Sequence, residues 1–274
     1  RQPGVDYRTF ELGSRPLLVE ALSGMDVVFH LVSTTVPQTS NENPAFDVQS
    51  NLIESIFLLE QCVVKRVKKV VFISSGGTVY GKPNFLPVRE DHQTEPECSY
   101  GITKLAIEKY LKLFNHLYGL QYVILRPSNS YGERQNPNGI QGAISVFLGK
   151  AARSEMIQVW GDGQTVRDYI YVSDLVRGIY QASILQTRSR VFNLGSGRGC
   201  SLNEIIDKVR VVTNRNIRVS HSEARPFDIA QIYLDISRAG EELDWRPQNS
   251  LDEGIRRTWD FVQKVSSTQE SGAV

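Results

Sequence analysis

Tyr100 and Lys104 stand four residues apart in the stretch CSYGITKLAIEKY. On a helix that spacing sends both side chains from one face, about 6 Å apart along the axis. A phenol beside an ammonium is a usable general base if it ionises near neutral pH. Tyrosine normally loses its proton near pH 10, so a working phenolate at pH 7 needs about three units of lowering, roughly 4 kcal/mol. A fixed lysine and a second cation nearby would supply it. The spacing alone is cheap, because Tyr-x-x-x-Lys arises often by chance and a solvated helix face is its commoner explanation.

The elements that would hold the pair are legible around it. Short β-branched runs at 27–32, 69–74, 122–127, 169–172 and 191–194 alternate with amphipathic stretches at 15–22, 45–64, 100–117 and 173–184. That alternation predicts an α/β fold, a doubly wound parallel sheet with helices on both faces. The run KKVVFISSGGTVYGKP is a buried strand entering a hydroxyl- and glycine-rich turn, and in such sheets ligands bind beyond the carboxyl ends of the strands. From about residue 133 the pattern is mixed. It reads as a smaller lobe interleaved with the sheet, with helices predicted in GAISVFLGKAA, SLNEIIDKVRVVT and SLDEGIRRTWDFVQKV. The small polar residues 266–274 are expected to be disordered.

Composition narrows the classes of partner. The 274 residues are 41% hydrophobic, enough for a full core, and 31 basic against 30 acidic residues leave a formal charge of +1. Nucleic acid is therefore not an expected partner. Cys62, Cys98 and Cys200 are widely spaced and odd in number, which suggests a reducing compartment, the cytoplasm, rather than a disulfide framework. The apolar runs DVVFHLV and KVVFISS are too short to span a bilayer, so no membrane is expected.

Six segments in order carry more weight than any one alone: GMDVVFHLVSTTVP, KKVVFISSGGTVYGKP, LRPSNSYGERQ, VWGDGQTVRDYIYVSDL, VFNLGSGRGCSLNEI and EARPFDIAQIYLDISRAGEELDWRP. Together, over about residues 5–262, they resemble the extended short-chain dehydrogenase/reductase family in its NAD-dependent nucleotide-sugar epimerase/dehydratase branch. The resemblance implies a Rossmann-like NAD-binding domain over 1–130, regained by 167–195, and a substrate lobe from 131–166 and 196–265. It implies NAD as cofactor, a UDP-sugar or related nucleotide-sugar as substrate, and a homodimer through the helices at 45–64 and 100–117. Family members carry a glycine-rich phosphate loop, which the resemblance places ahead of Arg1 within a β-α-β unit that the 274 residues lack. These residues are accordingly expected to hold NAD poorly by themselves.

The resemblance also assigns roles. Tyr100 would take the proton of the sugar 4-hydroxyl, and Lys104 would lower the phenol and hold the nicotinamide ribose. Glu11 and Leu12 would lie by the adenine, Leu31, Val32 and Ser33 under the pyrophosphate and ribose, and Asn51 in the following helix. Ser74, Pro127 and Ser128 would complete the cofactor site. Gly76, Asn129, Gln141, Gly142, Arg167, Arg225 and Asp228 would hold the nucleotide-sugar, with Ile232 near the position that limits sugar size. One departure stands out: where the family usually places a Ser or Thr against the substrate hydroxyl, this chain has Gly76. Thr78 and Ser75 are the expected replacements. Gly77 and Thr78 occupy the acid and base positions of the related dehydratases, so the resemblance favours C4 epimerisation of a UDP-hexose or UDP-uronate. A 4,6-dehydratase or 4-keto reductase, and a noncatalytic nucleotide-sugar or dinucleotide binder, are the alternatives.

Overall fold

The computed structural model of the chain describes residues 2–139, 141–224 and 229–271. Helix α1 (Arg15–Ala21), with Pro16 in its first turn, leads to strand β1 (Val27–His30). Prolines also open α2 (Pro37–Glu42) and α3 (Pro44–Asp47), which passes through a π-helical turn at Val48–Ile53 into α4 (Glu54–Val64). The single helix expected over 45–64 is thus broken. The wide turn carries Asn51, whose side chain ties it to the loop after β1 instead of continuing a uniform helix. Strand β2 (Lys69–Ile73) then precedes α5 (Ser99–Tyr118), which stops at Gly119 in the left-handed conformation, φ 70°.

Strands β3 (Gln121–Pro127) and β4 (Asn129–Tyr131) are followed by α6 (Ala143–Ala152), β5 (Ile157–Trp160), β6 (Val166–Arg167) and β7 (Tyr169–Tyr171). Next come α7 (Val172–Ile184), β8 (Val191–Leu194), β9 (Cys200–Ser201), α8 (Leu202–Thr213) and β10 (Val219–Ser222). The chain closes with β11 (Gln231–Ile232), α9 (Ser237–Leu243) and α10 (Leu251–Ser271). Helix α8 starts on a reciprocal cap between Ser201 and Glu204. Helix α10 extends to Ser271.

Strands β1, β2, β3 and β8 form one parallel sheet in the order β1-β2-β3-β8. Strand β2 reads apolar because it is covered twice: Val70 and Phe72 meet Leu58, Leu59, Ile107 and Leu111 of α4 and α5, while Val71 meets Leu175 of α7 with Phe192 and Trp245. The segment at 169–172, expected in this sheet, instead pairs with β4 in a separate two-stranded sheet, Asn129 opposite Tyr169. There it turns its three buried residues partly into the second core, where Ile144, Leu148, Ile205, Ile255 and Trp259 pack α6, α8 and α10. No helix among the described residues is long and apolar enough to cross a membrane.

Candidate active site

The carboxyl ends of β1, β2 and β3 open toward the first turn of α5, the place where an open parallel sheet binds its ligands. Helix α5 stays where it is because three partners hold it. Asp47, fully buried, accepts hydrogen bonds from Ser99 Oγ (2.7 Å) and Thr103 Oγ1 (2.8 Å) of α5, and from Thr35 Oγ1 (2.5 Å) and Asn51 Nδ2 (2.9 Å). Burial alone would raise the Asp47 carboxyl, but these four donors outweigh it and hold it below the usual carboxylate range. Ser40 Oγ accepts from Tyr100 N at 3.0 Å. Deeper in, Glu108 of α5 takes a forked bond from Arg126 of β3, Nη2–Oε2 at 2.6 Å and Nε–Oε1 at 3.0 Å.

Within this frame Tyr100 and Lys104 come together as their spacing implies. The Lys104 ammonium lies 5.6 Å from the Tyr100 ring centroid and 5.0 Å from that of Phe72, and donates to Ile73 O at 3.0 Å. Burial lowers the ammonium to about 8, with Asp47 opposing. Burial first, then Cys98 and Asp47, push the Tyr100 phenol up to about 12. Tyr100 and Lys104 therefore lie side by side, the phenol raised and the ammonium lowered.

The lysine's burial makes a testable cost. Its folded pKa lies below the ordinary 10.5, so the penalty for the buried charge is fully present below pH 8 and fades as pH rises from 8 to 10.5. Lys104→Met is expected to raise the unfolding free energy by about 2–3 kcal/mol at pH 7 and by nearly nothing at pH 11. Urea titrations at the two pH values check it, and equal effects at both would contradict the charge as cause.

The turn after β2 lies opposite. Gly76 and Gly77 line a small cleft with Ser128, Asn129, Arg167, Asp168, Ile232 and Leu234. Asp168 at its floor accepts from Ser196 N and Oγ (both 2.7 Å) and Leu234 N (3.2 Å). Thr78 Oγ1 is shielded from water and has no hydrogen-bond partner among the described residues. Ser75 is half-buried and accepts Val79 N through its carbonyl at 3.2 Å.

Other expected residues divide by place. Leu31, Val32 and Ser33 are exposed at the end of β1, and Pro127 and Ser128 are half-buried at the end of β3. Glu11 is exposed, and Leu12 packs partly onto the α1–α4 core. Asn129 and Gln141 are exposed, while Gly142, φ 85°, starts α6. The Arg167 guanidinium donates to Ile229 O at 2.6 Å. Two of the expected residues are turned inward. Ser74 is 2% exposed and donates to Glu108 Oε1 at 2.5 Å, a donor the buried carboxylate needs. Asn51 is likewise spent inside the protein, accepting from Thr34 N and donating to Asp47. Arg225 and Asp228 lie outside the described residues.

NAD fits what remains. The Lys104 ammonium has three protons and one acceptor among the described residues, which leaves donors for a ribose diol, and Leu31 and Val32, 54% and 46% exposed, offer an apolar edge at the strand end. No group of three or more metal-ligating side chains lies together among the described residues. Residues 5–195 match the NAD dependent epimerase/dehydratase family.

The chain belongs to that family. It is 33% identical to UDP-glucose 4-epimerase of Mycolicibacterium smegmatis over 88% of this chain and 77% of the relative. It is 36% identical to dTDP-4-dehydro-6-deoxyglucose reductase of Escherichia coli over 83% and 72%. Its fold superimposes on UDP-glucose 4-epimerase of Thermotoga maritima with UDP-glucose, TM-score 0.93 at 33% identity, covering 97% of this chain and 87% of that one. The UDP-glucose 4-epimerase of Thermus thermophilus in complex with NAD gives a TM-score of 0.90 at 29% identity, covering 96% and 86%. Within the family frame, sequence reasoning missed Asp47, Glu108 and Arg126. A signal existed for two of them: Glu108 follows Lys104 by one helical turn, and Arg126 is a lone charge in the apolar run YVILRP, which must be paired if buried.

Proposed function

We propose that the protein is an NAD-dependent nucleotide-sugar 4-epimerase, inverting C4 of a UDP-hexose or UDP-uronate through a 4-keto intermediate. One observation carries the choice of reaction. Tyr100 at the start of α5 is the expected base, and among the described residues the carboxylate that lines the cleft, Asp168, is 3% exposed and already occupied by Ser196 and Leu234. Eliminating water across C5–C6 requires a second group to move another proton. Epimerisation requires one base and room for the sugar to turn.

Lys104, Leu31, Val32, Pro127 and Ser128 would hold NAD, which would supply the acceptor and donor for the C4 hydride and a positive charge. Tyr100 takes the proton of the 4-hydroxyl. Lys104 stays charged below about pH 8 and stabilises the phenolate. The keto-sugar turns about its diphosphate, which Arg167 and Asn129 anchor, and Tyr100 returns the proton to O4 while the hydride would come back to C4 from the opposite face. Similarity to the M. smegmatis, T. maritima and T. thermophilus proteins supports this reading.

The same proposal includes a cytoplasmic homodimer through α4 and α5. Ile102, Leu113 and Leu117 of α5, at 56%, 43% and 55% exposure, would be covered there, and three free cysteines suit a reducing compartment. UDP-glucose, UDP-N-acetylglucosamine and UDP-glucuronate, each incubated with the full-length protein and NAD, are to be followed by proton NMR. Interconversion of one 4-epimer pair is the expected result. The similarity to the E. coli reductase favours a second reading, which NADPH consumption with a 4-keto-6-deoxy nucleotide-sugar would establish in place of the first.

A further inference from the structure

The side chain missing at position 76 has a replacement elsewhere in the fold. A Cβ at Gly76 would stand 2.6 Å from Leu234 Cδ1 and 3.0 Å from the carbonyl oxygens of both Arg126 and Pro127. Gly76 is not in the left-handed region, so its backbone conformation does not demand glycine; the exclusion is steric. Both walls are fixed. Gly76 N donates to Pro127 O at 2.8 Å, and Leu234 N is held by Asp168. Leu234 is 1% exposed, bridges Val88 and packs with Val79, Tyr80 and Ile232.

We infer that Leu234 and Gly76 are a complementary pair that makes this wall of the sugar cleft apolar and moves the substrate-polarising hydroxyl from position 76 to Thr78. This inference rests on the epimerase reading. Among the described residues Thr78 Oγ1 is buried without a partner, a costly state that an oxygen of the bound sugar would relieve. Its Cβ lies 3.3 Å from where Gly101, next to Tyr100, would carry a Cβ, so the hydroxyl belongs to the catalytic turn. Ser75 has no such confinement. The apolar wall of Leu234 and Ile232 also favours a sugar face without a polar group at the point of contact.

The test is reciprocal. Gly76→Ser alone overpacks against Leu234 and lowers Tm by about 2–8 °C; combined with Leu234→Ala, Gly76→Ser costs clearly less than it does alone, the Arg126 and Pro127 carbonyls still crowding the new Cβ. In the wild-type background Thr78→Val, which keeps the branched shape, lowers kcat about 100-fold with little change in KM, and Thr78→Ser restores most of it. In the Gly76→Ser/Leu234→Ala background, where the hydroxyl is back at 76, Thr78→Val costs less than about 5-fold. A Gly76→Ser protein with wild-type Tm and activity would overturn the steric pairing. Equal Thr78→Val losses in both backgrounds would overturn the relocation. Absence of epimerisation in the wild type would strike the functional reading, while the Tm series still decides the pair.

Discussion

Tyr100→Phe is expected to lower kcat by about 10²–10⁴-fold while changing nucleotide-sugar binding less than about twofold. The substitution removes one oxygen and keeps the ring against the Lys104 ammonium, so the frame around it stays intact. Lys104 cannot take over. It is an ammonium below about pH 8 and has no lone pair to accept the proton of a sugar hydroxyl. The resting phenol adds a sharper expectation. Its pKa is pushed up to about 12 by burial, Cys98 and Asp47, so the wild-type protein alone holds almost no phenolate at neutral pH. Oxidised NAD brings a positive ring, and reduced NAD does not. Ultraviolet difference titration is therefore expected to show one tyrosine whose ionisation moves down on binding NAD, moves little on binding NADH, and is missing from Tyr100→Phe. Retention of more than a few per cent of turnover in that variant would remove Tyr100 from the role of base.

The proximity of Tyr100 and Lys104 was readable because both lie on one helix, where spacing translates directly into a shared face. The strand before the turn was readable for a similar reason: burial on both faces leaves an unbroken apolar run, as in KVVFI. What escaped depends on contacts between distant segments. Asp47 gathers Ser99 and Thr103 from a helix more than fifty residues on, and no local pattern announces an acid with four donors. Ser74 looked like a site residue because it sits in a hydroxyl-rich turn, yet strand alternation turned it to the buried Glu108. Gly76 was visible as a departure, and Leu234, which explains it, comes from the far end of the chain. Proximity of Tyr100 to a lysine was legible, whereas the depth of burial that raises the phenol was not.

Glu108→Ala or Arg126→Met is expected to cost about 3–5 kcal/mol of stability, the largest structural effect of any single substitution around the site. The two side chains are 4% and 6% exposed and joined by two short bonds, so deleting either leaves an uncompensated charge in the sheet core. The environment offers little relief. Arg126 lies 4.8 Å from the Tyr80 ring centroid and reaches Glu90 O only at 3.5 Å, while the remaining donor to Glu108 is the Ser74 hydroxyl. Replacing both partners by methionine removes both charges and fills a similar volume, so the double variant is expected to recover most of the loss. Catalysis is expected not to recover with it. Glu108 is one turn beyond Lys104 and two beyond Tyr100, and the forked bond to β3 fixes the rotation of α5, which methionine packing does not specify. Urea unfolding of the two single variants and the double, read with kcat, separates the contributions. Additive losses in stability would mean that the pair is not the unit holding α5, and full turnover in the double variant would mean that packing alone positions the base.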